Sequence, residues 1–229
     1  MKYLIVNADD FGASHGINRG IIEAHKRGIV TSTSLLVTRP RSAEAATLSR
    51  TAPELSVGLH VELRGNGGRS PADFQDRLHE ELEAQFHRFM SLMGRAPTHL
   101  DSHHNVHREP DALPGFLSFA ERHGLPLREH SPVCYFSKFY GQWHGESHPE
   151  QLTVASLAQL LETEIDDGIT ELSCHPGYAN GDHGGSYRAE RETELRTLCD
   201  PAIRAVLATH GIQLASYHGL NQLLEAVPK

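Results

Sequence analysis

What the chain has little of is its first guide. Its 229 residues include three cysteines, Cys134, Cys174 and Cys199, widely spaced and without a CxxC pair. An odd, scattered set excludes a disulfide framework and reads as buried free thiols in a reducing compartment. Long apolar runs are missing too. No stretch approaches the ~18 residues that span a bilayer, and the opening MKYLIVNADDFG reaches two acids after a short apolar run, unlike a signal peptide. The expected location is cytoplasmic. Positive charge is in deficit: 21 Lys and Arg stand against 29 Asp and Glu, a net charge of −8. That balance excludes a basic phosphate-backbone reader and a surface for anionic membranes, so neither nucleic acid nor membrane is expected as a partner. Repeats, low-complexity tracts and linkers are absent, and the length suits one domain over residues 1–229. The oligomeric state stays open between monomer and homodimer.

Histidine is in surplus, with 17 residues. Four of them, His99, His103, His104 and His107, fall within nine positions. Position has to decide what they do.

Apolar and polar stretches alternate along the chain. KYLIVNA (2–8), TSTSLLVT (31–38), LSVGLHVEL (55–63), THLDSH (98–103), LPLREH (125–130), 169–174 and IQLASY (212–217) read as strands, rich in β-branched and apolar residues. Between them lie helical patterns at 16–28, 42–50, 72–93, 112–124, 151–165 and 187–209, with a closing helix after 217. The long one carries Leu78, Leu82, Phe86, Phe89, Met90 and Met93 at the spacing of a single apolar face. Seven strand–helix repeats imply a parallel sheet with right-handed crossovers. A distorted, incomplete α/β barrel of about seven strands is favoured over an open doubly wound sheet, because polar clusters end several different strands, where barrel enzymes place their chemistry.

Four strand ends carry those clusters: Asp9-Asp10, His60, Asp101-Ser102-His103-His104 and Cys174-His175-Pro176-Gly177. A carboxylate with two imidazoles forms a half-shell for a divalent metal, leaving positions open for water and substrate. Adjacent acids then divide the labour. One binds the metal and the other takes a proton from metal-bound water, while His175 approaches from another strand as the acid for the leaving group. Ligand type alone points to Zn²⁺, since imidazole suits zinc and magnesium prefers oxygen. Arg128, at the end of the fifth strand, is expected to point into the mouth and pair with Asp9. The segment 131–150, with Tyr135, Phe136, Phe139, Tyr140 and Trp143, is expected to fold over the mouth as a substrate wall. The same triad also fits an Fe(II) oxygenase or a metal-dependent phosphoesterase, and a non-catalytic sugar-binding module is the remaining alternative.

NADDFG at 7–12, GIVTSTSLLV at 28–37, GLH at 58–60, THLDSHHNVH at 98–107 and SCHPGY at 173–178 resemble the YdjC-like carbohydrate deacetylases, in order and over nearly the whole chain. That group includes chitooligosaccharide and hopanoid-associated deacetylases. The resemblance implies a polysaccharide-deacetylase-like barrel. It also implies a hydrolase that removes N-acetyl groups from an amino-sugar carbohydrate, with metal-bound water attacking the amide carbonyl. By match, Asp10, His60 and His103 are the metal ligands, Asp9 the base and His175 the acid, and Mg²⁺ is the associated ion. The chain departs from the pattern at Asn105, where relatives commonly have a third consecutive His, and in a short loop after His60.

Overall fold

The computed structural model describes residues 1–63, 71–179 and 186–226, with the side chains of 71–73 and 226 excepted. The short loop singled out after His60 therefore lies largely outside the described residues.

Seven parallel strands form the main sheet. β1 (Lys2–Phe11) is central, followed on one side by β2 (Ser32–Leu35), β3 (Ser56–Val61) and β4 (Leu100–Ser102), and on the other by β8 (Gly168–Cys174) and β5 (Cys134–Phe136). β9 (Ile212–Ala215) shares an edge of β1 with β2. It pairs with Lys2 through Ile5, whereas β2 pairs from Asn7 onward. A separate two-stranded hairpin consists of β6 (Gln142–Trp143) and β7 (Glu146–Ser147).

Helices cover the sheet: α1 (His15–Arg27), α2 (Ser42–Ser49), α3 (Pro71–Met93), α4 (Leu113–His123), α5 (Val154–Glu164), α6 (Ala189–Leu198), α7 (Pro201–Thr209) and α8 (Leu220–Ala226). Their ends follow ordinary capping chemistry. The Ser14 side chain accepts from Ile17 N at the start of α1, Thr153 and Asp200 do the same for α5 and α7, and Gly124 ends α4 in the left-handed conformation at φ 63°. On α3, Leu78, Leu82 and Phe89 are buried and Phe86 and Met93 partly so, but Met90 is exposed. Met90 lies one position beyond Phe89, which turns it about 100° off the buried stripe.

The fifth strand is not where the pattern put it. LPLREH contributes only an isolated bridge, Leu127 with Leu100. Pro126 has no N–H to donate, and Glu129 turns out of the extended conformation at φ 64°. The strand beside β8 is instead Cys134–Phe136. The short run from Leu127 to Cys134 thus joins the β4 side of the sheet to the β8 side. That link curls the sheet into an incomplete barrel and puts Arg128 at the seam. Of the cysteines, Cys174 is buried and Cys199 half-buried, but Cys134 is exposed, a correction to three buried thiols. Among the described residues no helix is long and apolar enough to cross a membrane.

Candidate metal centre and its cleft

In a regular strand, successive side chains point to opposite faces, so adjacent acids should not serve one site. Here β1 breaks its pleat. Its register with β2 shifts between Ala8 and Phe11, and Asp10 sits at φ 72°. Asp is among the few residues that enter this region at modest cost. Both carboxylates consequently reach a cleft of about 640 Å³, lined also by His60, His103, Tyr140, His175 and Arg191.

Asp10, His60 and His103 each offer one donor atom, and the three atoms lie within 4.8 Å of one another. Asp10 Oδ1 is 3.0 Å from His103 Nδ1 and 3.7 Å from His60 Nε2. It is buried and takes no hydrogen bond. An orphaned carboxylate oxygen facing two imidazole nitrogens is the donor set a small divalent cation fills. Asp10's other oxygen is held by the Arg191 guanidinium, which leaves Oδ1 as the only oxygen free to coordinate. Burial would raise the Asp10 pKa, but Arg191 and the facing histidines hold it well below the usual carboxylate range. His103 is presented by a tight turn over His103–Arg108, in which His104 and Asn105 adopt left-handed φ of 57° and 53°. Ser102 Oγ ties the turn shut by accepting from His107 N at 3.0 Å.

The second acid is held differently. Asp9 receives a two-pronged salt bridge from Arg128, Nη1 to Oδ2 at 2.9 Å and Nη2 to Oδ1 at 2.8 Å, and a further bond from Asn7 Nδ2 at 2.8 Å. Arg128 also donates to Glu171 Oε1 and lies 2.7 Å from Asp101 Oδ2, while the Tyr135 ring stacks beneath it at 4.9 Å. Asp9, His60 and Asp101 form another group compact enough for an ion. There, however, the Arg128 guanidinium already supplies the cation between the two carboxylates.

His175 faces the cleft from the end of β8. Glu194 of α6 accepts from the His175 backbone N–H and from the Tyr187 hydroxyl, and its Oε1 lies 4.0 Å from His175 Nδ1. Burial pushes His175 down to about 4, and burial also pushes Glu194 up to about 7. Tyr140 and Tyr187 stack face to face at 4.8 Å, with the His175 ring edge-on to both.

All six sequence-derived site residues, Asp9, Asp10, His60, His103, Arg128 and His175, line or adjoin this cleft. The wall expected from 131–150 is only partly there. Tyr135, Ser137, Tyr140 and Gln142 line the cleft, Phe136 and Phe139 are core, and Trp143 stacks on His148 at 3.5 Å outside the lining. Arg191, Glu194 and Tyr187 were missed. They lie in or just before a helix whose sequence, AERETELRTL, reads as a solvated charged face, and nothing local marks Arg191 and Glu194 as buried. Asp101 was seen at its strand end but given no task.

A curled β/α sheet with an Asp-His-His cluster at its mouth, a second carboxylate clamped by arginine and a histidine across the cleft defines a metal-dependent hydrolase of the incomplete-barrel type. The chain belongs to the YdjC-like protein family, which matches residues 3–209. It is 36% identical to a carbohydrate deacetylase of Geobacillus stearothermophilus, over 97% of this chain and 99% of that one. It is equally 36% identical to a chitooligosaccharide deacetylase of Serratia marcescens, over 96% and 99%. Among solved structures, a proposed cellobiose-phosphate cleavage protein of Enterococcus faecalis V583 superposes with a TM-score of 0.76 at 30% identity, covering 96% of this chain and 98% of that one. A family 4 carbohydrate esterase of Streptomyces lividans, at 14% identity and a TM-score of 0.58 over 93% and 92%, shares the fold.

Proposed function

We propose that this protein hydrolyses the N-acetyl group of an amino-sugar carbohydrate of the chitooligosaccharide kind, consuming one water and giving acetate and a free amine. The observation that carries the reading is the meeting, in one cleft, of the Asp10-His60-His103 cluster, the arginine-clamped Asp9 and His175. The names of the two curated relatives support the substrate class. When bound, a divalent ion acts as a Lewis acid toward the acetyl carbonyl and lowers the pKa of water. Asp10, His60 and His103 would hold it. Asp9 takes the proton from the attacking water, and Arg128 keeps Asp9 oriented. His175, which burial keeps neutral at rest, passes to the departing nitrogen the proton that Asp9 has taken from the water, with Glu194 behind its Nδ1. The Tyr140–Tyr187 stack walls the cleft beside His175 and offers an apolar face to a sugar ring. An oxygenase using the same triad would leave the clamped Asp9 without a task.

Two imidazoles favour zinc or another transition ion, while the family resemblance favours magnesium. The free cysteines fit a cytoplasmic setting. The test is acetate release from a panel of N-acetylated sugars, diacetylchitobiose among them, with Mg²⁺, Zn²⁺, Mn²⁺ or Co²⁺ added to chelator-treated protein. Release that depends on the ion supports the proposal. No release from any sugar with any ion overturns it.

A further inference from the structure

The Asp101 carboxylate lies between the two halves of the centre and belongs to neither of the tasks described above. Its Oδ1 is 2.7 Å from His60 Nδ1. Its Oδ2 accepts the Ser34 hydroxyl at 2.6 Å and lies 2.7 Å from Arg128 Nη2. It is fully buried, and β-sheet register holds it, because Asp101 pairs directly with His60 across β3 and β4.

We infer that Asp101 is a positioning residue that fixes His60 with its proton on Nδ1 and its lone pair on Nε2, toward the ion, and at the same time anchors the arginine that holds Asp9. The inference rests on the metal reading of the site. An ionised carboxylate can only accept, so the imidazole nitrogen facing it must donate. The other nitrogen is the one left to an ion when the ring is neutral, and it points to the side where Asp10 Oδ1 lies. Carboxylate or carbonyl partners of metal-ligating histidines set tautomer and ring orientation in this way.

An amide cannot satisfy the same neighbours. In Asp101→Asn a single oxygen must choose between His60 and the Ser34–Arg128 pair. If it serves Arg128, its NH₂ faces His60 Nδ1 and favours the tautomer with a proton on Nε2, which blocks the ion.

The test uses Zn²⁺ alone, with no substrate. Chelator competition should show Asp101→Asn binding Zn²⁺ about 10–100-fold more weakly than wild type, with circular dichroism unchanged. In wild-type protein loaded with Zn²⁺, ¹H–¹⁵N correlation should place the His60 proton on Nδ1. This second measurement needs no variant and stands even if Asp101→Asn fails to fold. Equal affinity in folded Asp101→Asn overturns the inference while leaving the metal site standing, and a His60 proton on Nε2 in the loaded protein overturns it together with His60's place among the ligands. A wild-type protein that binds no Zn²⁺ overturns the inference together with the metal reading beneath it.

Discussion

Asp9 and Asp10 are neighbours in sequence and opposites in environment. Asp9 accepts three hydrogen bonds from Arg128 and Asn7, whereas Asp10 keeps one buried oxygen without a hydrogen bond. Asp9→Asn should therefore retain the ion and lose about 10²–10⁴-fold in turnover, the range for a lost general base. Asp10→Asn should lose the ion as well. Asn tolerates the left-handed backbone at position 10 as readily as Asp does but leaves the Arg191 guanidinium without its carboxylate, so circular dichroism on the variant separates loss of the ion from misfolding. Metal analysis beside turnover for the two variants checks the assignment, and metal loss from Asp9→Asn alone would reverse it. His175→Ala should keep the ion and lose least on acetyl substrates with good leaving groups, measured as the ratio of rates on aryl and sugar acetamides. These residues were legible because each ends a strand within a short motif. Arg191 and Glu194 were not, because their burial depends on where α6 lands, and no residue near them in sequence encodes that.

At the scale of elements, the spacing between α1 and the loop after β8 matters most. Gly20 of α1 lies so close to Gly177 that an added Cβ would come within 2.6 Å of the Gly177 Cα. The obstacle is backbone and cannot swing away. Gly20→Ala should push the helix from the 175–178 loop, destabilise the fold by about 1–3 kcal/mol and lower turnover through His175 with little change in metal content. Thermal unfolding, metal analysis and activity on one preparation would show this, and an unchanged melting temperature would count against it. Strand positions 2–8, 31–38, 55–63, 98–103, 169–174 and 212–217 were readable from apolar patterning. The fifth was not, because LPLREH has a strand's composition while Pro126 and the left-handed Glu129 restrict it to a single bridge. The pairing passed to CYF, inside a stretch that reads as irregular.

Considered as a whole, the molecule stores much of its polarity inside the sheet. His99 is an example. It is buried, stacked on Tyr217 at 4.0 Å, and its two nitrogens meet Thr98 Oγ1 and Ser34 Oγ at 2.9 and 3.1 Å. Burial pushes its pKa down to about 4. A histidine depressed on folding stabilises the native state above its unfolded pKa of ~6.5. That contribution shrinks as pH falls through 6.5 and is gone near 4, by linkage about 3 kcal/mol at most. Denaturant unfolding at pH 7 and 5 should show wild type losing stability that His99→Gln does not lose, and parallel losses in both would refute the assignment. The strand arrangement has a consequence for biosynthesis. β1 is translated ahead of the other described strands, yet its early residues pair with β9, the strand furthest from it along the chain. At ~5–20 residues per second, Tyr3, Leu4 and Ile5 must wait roughly 10–40 s for that partner. During that interval the nascent chain displays an apolar, half-paired strand, and its yield in the cell should depend on chaperones that bind such segments.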